Sequence, residues 1–270
     1  METPLGRSIQ YRDGYAPQLL APMSRAEARA ALGLGIPLPF RGEDLWNGYE
    51  FSWLDTRGVP QVAGLRFSVT AGSPCFVESK SLKLYLNGFA QTKFAGRAEV
   101  ADLLVRDLSE AFGAVVALKL VDIGRLPPAT RRLPGRCLDQ LECAIELYER
   151  APQLLARDDA RPEVADETFH THLFRSLCPV TGQPDWASVL VRYSGPAILP
   201  EALWRYLLSY RRHGAFHETT IEQIFLDLKA LCACSTLLVA GFFQRRGGLD
   251  INPVRTDGAP VTLRYRLPRQ

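Results

Sequence analysis

The strongest constraint on the fold is a set of strand and helix patterns that occurs twice along the chain in one order. Residues 49–54 and 61–69 are rich in apolar and aromatic side chains and flank Asp55-Thr56-Arg57-Gly58-Val59-Pro60, which predicts two strands joined by a turn. Leu82, Tyr85, Leu86 and Phe89 then share one helical face, and Val100, Leu103, Leu104 and Leu108 share another. Residues 115–123 and 137–148 read as two further strands, completing a β-β-α-α-β-β block. Residues 150–162 are charged and rich in Pro and Ala, the composition of a linker. After them the order recurs. Residues 167–177 and 186–193 read as strands, and helical faces follow on Leu203, Tyr206, Leu207 and Tyr210 and on Ile221, Ile224, Phe225 and Leu228. Residues 237–243 and 261–267 close the second block as strands. The recurrence predicts an α+β protein of two homologous halves, although no residue-level repeat accompanies it. The expected organisation is an irregular N-terminal arm over 1–45, with a short helix at 25–32, a first module over 46–149, a linker over 150–165 and a second module over 166–270.

Composition bounds the partners. The chain has 270 residues, 47% of them hydrophobic and 10% aromatic, enough to fill a real core. Its net charge of +3 comes from 32 basic against 29 acidic residues, too even to imply a nucleic-acid or membrane partner by field alone. Lysine occurs only at Lys80, Lys83, Lys93, Lys119 and Lys229, and the close pair Lys80 and Lys83 concentrates charge locally. The six cysteines follow no regular framework and Met1-Glu2-Thr3-Pro4 lacks the features of a signal peptide, so a cytoplasmic protein with free thiols is expected. No apolar run approaches the ~20 residues of a membrane-spanning helix.

Cys178-Pro179-Val180-Thr181-Gly182-Gln183-Pro184-Asp185-Trp186 sets a thiol and a carboxylate on either side of a tight turn. Cys178 is the leading nucleophile, since a turn exposes a thiol and a nearby base or helix end activates it, although cysteine is also among the most often buried residues. Asp185 serves either as an ordinary strand opener or as an acid raised by burial beside Trp186. His213, His217 and Glu218 supply only one side of a metal site. Neither His170-Thr171-His172 nor Cys232-Ala233-Cys234 has the usual spacing, so no metal is predicted. His217 and Glu218 more simply head a helix over 218–231, where a carboxylate favours the dipole and also faces a pocket.

Glu78-Ser79-Lys80-Ser81-Leu82-Lys83-Leu84-Tyr85 opens a helix with hydroxyls, free backbone N–H groups and two lysines, a receptor for phosphate or simply a solvated helix start. Arg245-Arg246-Gly247-Gly248 offers cationic donors with close backbone approach. No G-x-G-x-x-G follows a strand, and Gly33-Leu34-Gly35 runs into Pro37 and Pro39, which argues against a Rossmann domain, so a dinucleotide would have to bind another way.

Those two motifs, the Cys178 turn, Phe216-His217-Glu218 and the continuation Leu249-Asp250-Ile251-Asn252-Pro253 stand in an order that resembles the NADPH-dependent 7-cyano-7-deazaguanine reductases, the nitrile reductases of queuosine biosynthesis, in their long two-module form. The resemblance runs over residues 46–270. It implies two tunnelling-fold modules in tandem, each β-β-α-α-β-β with an antiparallel sheet and helices on one face. It also implies that Cys178 attacks the nitrile carbon to give a covalent thioimide, that Asp185 supplies a proton, and that two NADPH are consumed per turnover. Glu218 matches the purine anchor and His217 a neighbouring substrate contact. Val77, Glu78 and Ser79 match further substrate contacts, and Ser79, Lys80, Arg246 and Gly247 match cofactor contacts. The zinc chemistry of the related GTP cyclohydrolases is not implied, because its ligand set is absent. Departures lie in the N-terminal arm and at residues 151–165.

A hydrolase or amidotransferase using Cys178 and His217 on a purine-like substrate is the alternative, and it would not need Lys80, Lys83 or Arg246. A non-enzymatic purine- or RNA-binding module is a third reading, opposed by the balanced charge. A homodimer is expected, because open sheet edges are commonly paired between subunits.

Overall fold

A computed structural model describes residues 14–126 and 132–270. It is a mixed α+β structure in which antiparallel strand pairing dominates. The chain forms two compact units, one from the described residues of Met1–Leu38, Asp44–Pro128 and Arg245–Ile251, the other from those of Pro39–Glu43, Ala129–Gln244 and Asn252–Gln270.

The first unit carries β1 (Pro22–Ser24), α1 (Arg25–Ala30), most of β2 (Arg41–Leu54), β3 (Pro60–Thr70), β4 (Cys75–Val77), α2 (Ser79–Asn87), α3 (Arg97–Phe112) and β5 (Ala117–Val121). β1 pairs antiparallel with β4, and β5 pairs antiparallel with β3, which lies beside β2. The predicted helical faces are the buried ones: Leu82, Tyr85 and Phe89 from the first pattern, and Val100, Leu104 and Leu108 from the second, are fully enclosed. Trp46 stacks on Phe67 at 5.6 Å, with Phe112 against its edge.

The arm is more ordered than its composition suggests. Ser24 caps α1 by accepting from the Glu27 N–H, and α1 directs two arginines inward. Arg25 is buried, donates to Ser73 Oγ at 3.0 Å and the Cys75 carbonyl at 3.2 Å, and pairs with Asp44. Arg29 donates to the Ala71 carbonyl at 2.7 Å. An Arg-rich segment reads as surface in a sequence, yet here each guanidinium has its compensating acceptors. Residues 1–13 of the expected arm lie outside the described residues.

The second unit carries β6 (Arg136–Cys137), β7 (Val164–Leu177), β8 (Pro184–Gly195), α4 (Pro200–Leu208), α5 (His217–Cys232), β9 (Thr236–Phe243) and the later part of β10 (Leu249–Thr256). β7 and β8 form a long antiparallel hairpin, β8 pairs with β9 and β9 with β10, while β6 joins β7 in parallel.

Three expectations are corrected. Of the strand predicted at 137–148 only Cys137 is in a strand, as the second residue of β6. No strand forms at 261–267: its apolar alternation instead seats Val261, Leu263, Tyr265 and Leu267 on a cluster of Leu133, Leu190, Leu238, Phe242 and Val254, burying one side without edge pairing. The closing strand is β10, wholly buried yet unread because Asp250, Asn252 and Arg255 make it polar. Within the expected linker, several residues pack into the second unit. Arg150 pairs with Asp227 at 2.6 Å, Ala151 N–H donates to Ser209 Oγ at 3.1 Å, and Ala151 and Leu155 are buried. No helix among the described residues is long and apolar enough to cross a membrane.

Candidate active site

The hairpin between β7 and β8 closes on Cys178. Its N–H donates to the Gln183 carbonyl at 2.8 Å, and its own carbonyl accepts from the Gly182 N–H at 3.0 Å. Gly182 takes φ +66°, a left-handed conformation that costs glycine nothing and other residues about 1–2 kcal/mol. The closure aligns Ser176 with Asp185 across the hairpin. Cys178 stays partly exposed, whereas Asp185 is buried.

A second chain segment reaches the same hairpin end. The Leu177 N–H donates to the His213 carbonyl at 2.8 Å and the Ala215 N–H donates to the Leu177 carbonyl at 3.2 Å, so the segment entering α5 is laced to the last residue of β7. His217 and Glu218 therefore begin α5 beside the Cys178 turn. His217 Nε2 lies 3.3 Å from Asp185 Oδ2, and its ring stacks on Phe243 at 3.9 Å and 12°. Its Nδ1 is buried with no hydrogen-bond partner among the described residues. Glu218 is buried in the first turn of α5, where the helix dipole favours a carboxylate. The Arg175 and Arg211 guanidiniums lie over the Trp186 ring at 5.4 and 5.8 Å, fixing the residue after Asp185.

These contacts gather Asp185, His217 and Glu218 at the Cys178 turn, as polar groups able to move a proton and hold a polar ring edge. His213 does a different job. It packs edge-on against Tyr210 at 5.1 Å, its carbonyl pins β7, and burial followed by the charge of Arg150 pulls its imidazole pKa down. Phe243, the platform for His217, had no distinguishing signal in the sequence, being one aromatic in an apolar strand.

The first unit holds the other motif. Val77 ends β4 and is buried. Glu78 caps α2 with both carboxylate oxygens, Oε1 accepting from the Lys80 N–H at 2.6 Å and Oε2 from the Ser81 N–H at 2.8 Å. The amides expected to stand free for phosphate at this helix start are thus taken by a side chain of the same chain. Ser79 and Lys80 follow at the half-buried rim. Arg246 opens a two-residue hairpin turn, its N–H donating to the Leu249 carbonyl at 2.8 Å, with Gly247 at φ +58° and Gly248 at φ +80°. A Cβ on Gly247 would stand 3.0 Å from Lys83 Cδ, so the lysine stem crosses the bare glycine. Lys83 and the backbone of the Arg246-Gly247 turn are consequently neighbours.

Residues 11–120 match the family described as nitrile reductase, 7-cyano-7-deazaguanine-reductase N-term, and residues 184–261 match the family described as QueF-like protein. A protein of Chromohalobacter salexigens named NADPH-dependent 7-cyano-7-deazaguanine reductase is 49% identical over 99% of this chain and 96% of its own length. Proteins of the same name from Chromobacterium violaceum and Burkholderia orbicola are 45% and 48% identical, each over 99% of this chain, and over 96% and 98% of their own lengths respectively.

Proposed function

The chain belongs to the family of NADPH-dependent 7-cyano-7-deazaguanine reductases, and we propose that it reduces the nitrile of 7-cyano-7-deazaguanine to the aminomethyl group, in queuosine biosynthesis, through a thioimide on Cys178. The contact of Asp185 with His217 beside the Cys178 turn is the observation that carries the residue assignment.

The Cys178 sulfur adds to the nitrile carbon as the nitrile nitrogen gains a proton, and Asp185 with His217 delivers it. A nitrile is a poor hydride acceptor. The protonated thioimide is a good one, which is the gain from covalent catalysis. NADPH, when bound, supplies the hydrides, two for each nitrile taken to the amine. After the first hydride reaches the carbon, the carbon–sulfur bond breaks and Cys178 leaves as thiolate, and the resulting imine takes the second hydride and a proton.

Glu218 holds the purine-like edge, because one carboxylate accepts two parallel hydrogen bonds from a ring N–H and an exocyclic amine. The Nδ1 of His217, without a hydrogen-bond partner among the described residues, supports a substrate contact there. Val77, Glu78 and Ser79 are further substrate contacts in this reading. Glu78 keeps acceptor capacity beyond the two amides it caps, since a carboxylate offers about four lone-pair sites. Ser79, Lys80, Arg246 and Gly247 hold the cofactor, joined by Lys83, whose stem lies on Gly247. The cationic side chains and the glycine turn suit phosphate, whereas the first α2 amides do not, being capped. We read the β-β-α-α order common to the two units, closed by β5 in the first and by β9 and β10 in the second, as two tunnelling-fold modules in a cytoplasmic homodimer.

Other thiols are poorer candidates. Burial pushes Cys232 up to about 12 and Cys234 up to about 11, leaving little thiolate near neutrality. The test is intact-protein mass spectrometry of chain mixed with the nitrile and no NADPH. One added substrate mass, mapped to Cys178 and discharged when NADPH absorbance falls, is expected. An adduct on Cys75, Cys232 or Cys234, or none while the chain turns over, overturns the assignment.

A further inference from the structure

Cys137, His170 and His172 meet on the second unit, each offering a ligand atom within 4.8 Å of those of the other two. Sequence spacing hides this trio, because Cys137 reaches the histidines only through the parallel pairing of β6 with β7. That pairing sets Cys137 directly beside His170, and His172 lies two residues on, on the same face. Leu190 is the partner of His170 on β8 and belongs with Phe242 to one apolar cluster, so Phe243 and the His217 ring stacked on it lie on the opposite face. The trio is therefore separate from the Cys178 chemistry.

The surroundings arrange it for coordination. His170 Nδ1 is 2.9 Å from the Pro134 carbonyl, which only accepts, so Nδ1 carries the proton and Nε2 presents a lone pair. His172 Nδ1 lies 2.7 Å from Ser188 Oγ, and the tautomer in which Nδ1 donates to that hydroxyl leaves Nε2 as the lone-pair atom. Such bonds behind an imidazole are the usual support of metal-ligating histidines. Asp139 accepts from Thr171 Oγ1 at 2.5 Å and the His172 N–H at 2.9 Å, fastening the residues after Cys137 to β7. Gly135, at φ +79°, has the Thr168 carbonyl 2.1 Å from where a Cβ would stand, so only glycine lets the lead-in to β6 lie this close.

We propose that Cys137, His170 and His172 bind one divalent ion of the zinc type, which ties the two-residue strand β6 to β7. One thiolate and two imidazoles suit a borderline-soft ion in tetrahedral geometry, with water at the fourth position. Binding replaces the thiol proton of Cys137 with the ion, so one proton is released.

The full chain, stripped with chelator and desalted, is titrated with Co²⁺ and then Zn²⁺. A thiolate-to-cobalt charge-transfer band saturating at one ion per chain and erased by Zn²⁺ is expected. It should survive Cys178→Ser, vanish in Cys137→Ser, and weaken in affinity by about 10- to 100-fold in Ser188→Ala, the usual effect of losing a supporting partner. In the unaltered chain, Zn²⁺ should shield Cys137 from iodoacetamide on peptide mapping, a readout independent of whether the variants fold. No band, a band lost in Cys178→Ser instead, or Cys137 alkylated equally fast with and without Zn²⁺ overturns the proposal.

Discussion

His217 Nε2 stands 3.3 Å from Asp185 Oδ2, and the imidazole is clamped in that position by the Phe243 ring stacked on it at 3.9 Å. The two groups come from different elements, the first turn of α5 and the start of β8. Their meeting depends on the backbone bonds that lace Leu177 to His213 and Ala215. A carboxylate in contact with an imidazole is an arrangement able to hand a proton to a nearby acceptor, the part proposed for this pair in nitrile activation at Cys178.

Asp185→Asn keeps the shape of the site and removes the transferable proton. Nitrile reduction should fall by roughly 10²- to 10⁴-fold, the ordinary range for general acid catalysis, and adduct formation on Cys178 should slow with it. Single-turnover mass spectrometry separates the two steps. An unchanged adduct rate would place the proton donor elsewhere.

Glu218→Gln should weaken substrate binding by ~1–3 kcal/mol and leave the thiol reactive, because the amide N–H opposes one of the two purine donors and leaves it unpaired. Calorimetric titration of the nitrile into Cys178→Ala, with and without the Glu218 change, measures this without turnover. Equal affinities would move the anchor to another residue.

Much of this site was legible in the sequence because its parts are local. The Cys178 turn announces itself through Pro179, Gly182 and Pro184, and the faces of α2, α3, α4 and α5 follow from apolar spacing. What escaped was written in long-range polar contacts. β10 is invisible to hydropathy, since Asp250 is satisfied by Asn47 Nδ2 at 2.7 Å and by the Tyr49 hydroxyl, and Arg255 by Glu222, all distant in sequence. The Glu78 cap illustrates a subtler failure. A carboxylate just before a helix with Ser-Lys-Ser behind it reads equally as ligand contact and as cap, and only the geometry shows both oxygens on backbone amides.

Gly247→Ala should raise the KM for NADPH more than it changes the affinity for the nitrile. The new methyl would need a left-handed backbone, worth about 1–2 kcal/mol of strain, and would displace the Lys83 stem from the turn. Lys83→Met tests the charge without the strain, and NADPH should lose more than NADH because its additional phosphate is the group that answers to a cation. Steady-state kinetics with both cofactors checks this. Parallel losses for the two would detach Lys83 from the phosphate.

Stability should fall in acid through His213. Its imidazole titrates below the usual value near 6.5, because burial and then Arg150 disfavour the charged ring. The unfolded chain therefore takes up a proton at a pH where the folded chain does not. The contribution is fully present above about pH 6.5 and is lost as the pH falls from there toward the lowered folded value. Urea midpoints at about pH 8 and about pH 5.5 should differ, and His213→Asn should shrink the difference. A difference unaltered by the substitution would assign the acid sensitivity to other groups.

Arg255 and Glu222 form the sharpest stability test, because both are buried and the guanidinium holds Glu222 Oε1 at 2.9–3.0 Å through Nη2 and Nε. Glu222 lies one helical turn beyond Glu218 on α5. Removing Glu222 takes from the buried guanidinium the carboxylate that it holds through two nitrogens. Glu222→Gln should therefore cost about 3–5 kcal/mol, whereas the double change Glu222→Leu with Arg255→Met should recover most of it, since an apolar pair avoids the desolvation that the ion pair must overcome. Denaturant midpoints for the single and double variants decide the matter. A double variant as unstable as the single would mean that Arg255 is held by its backbone acceptors, the Val254 carbonyl at 3.0 Å among them, and not chiefly by the charge of Glu222.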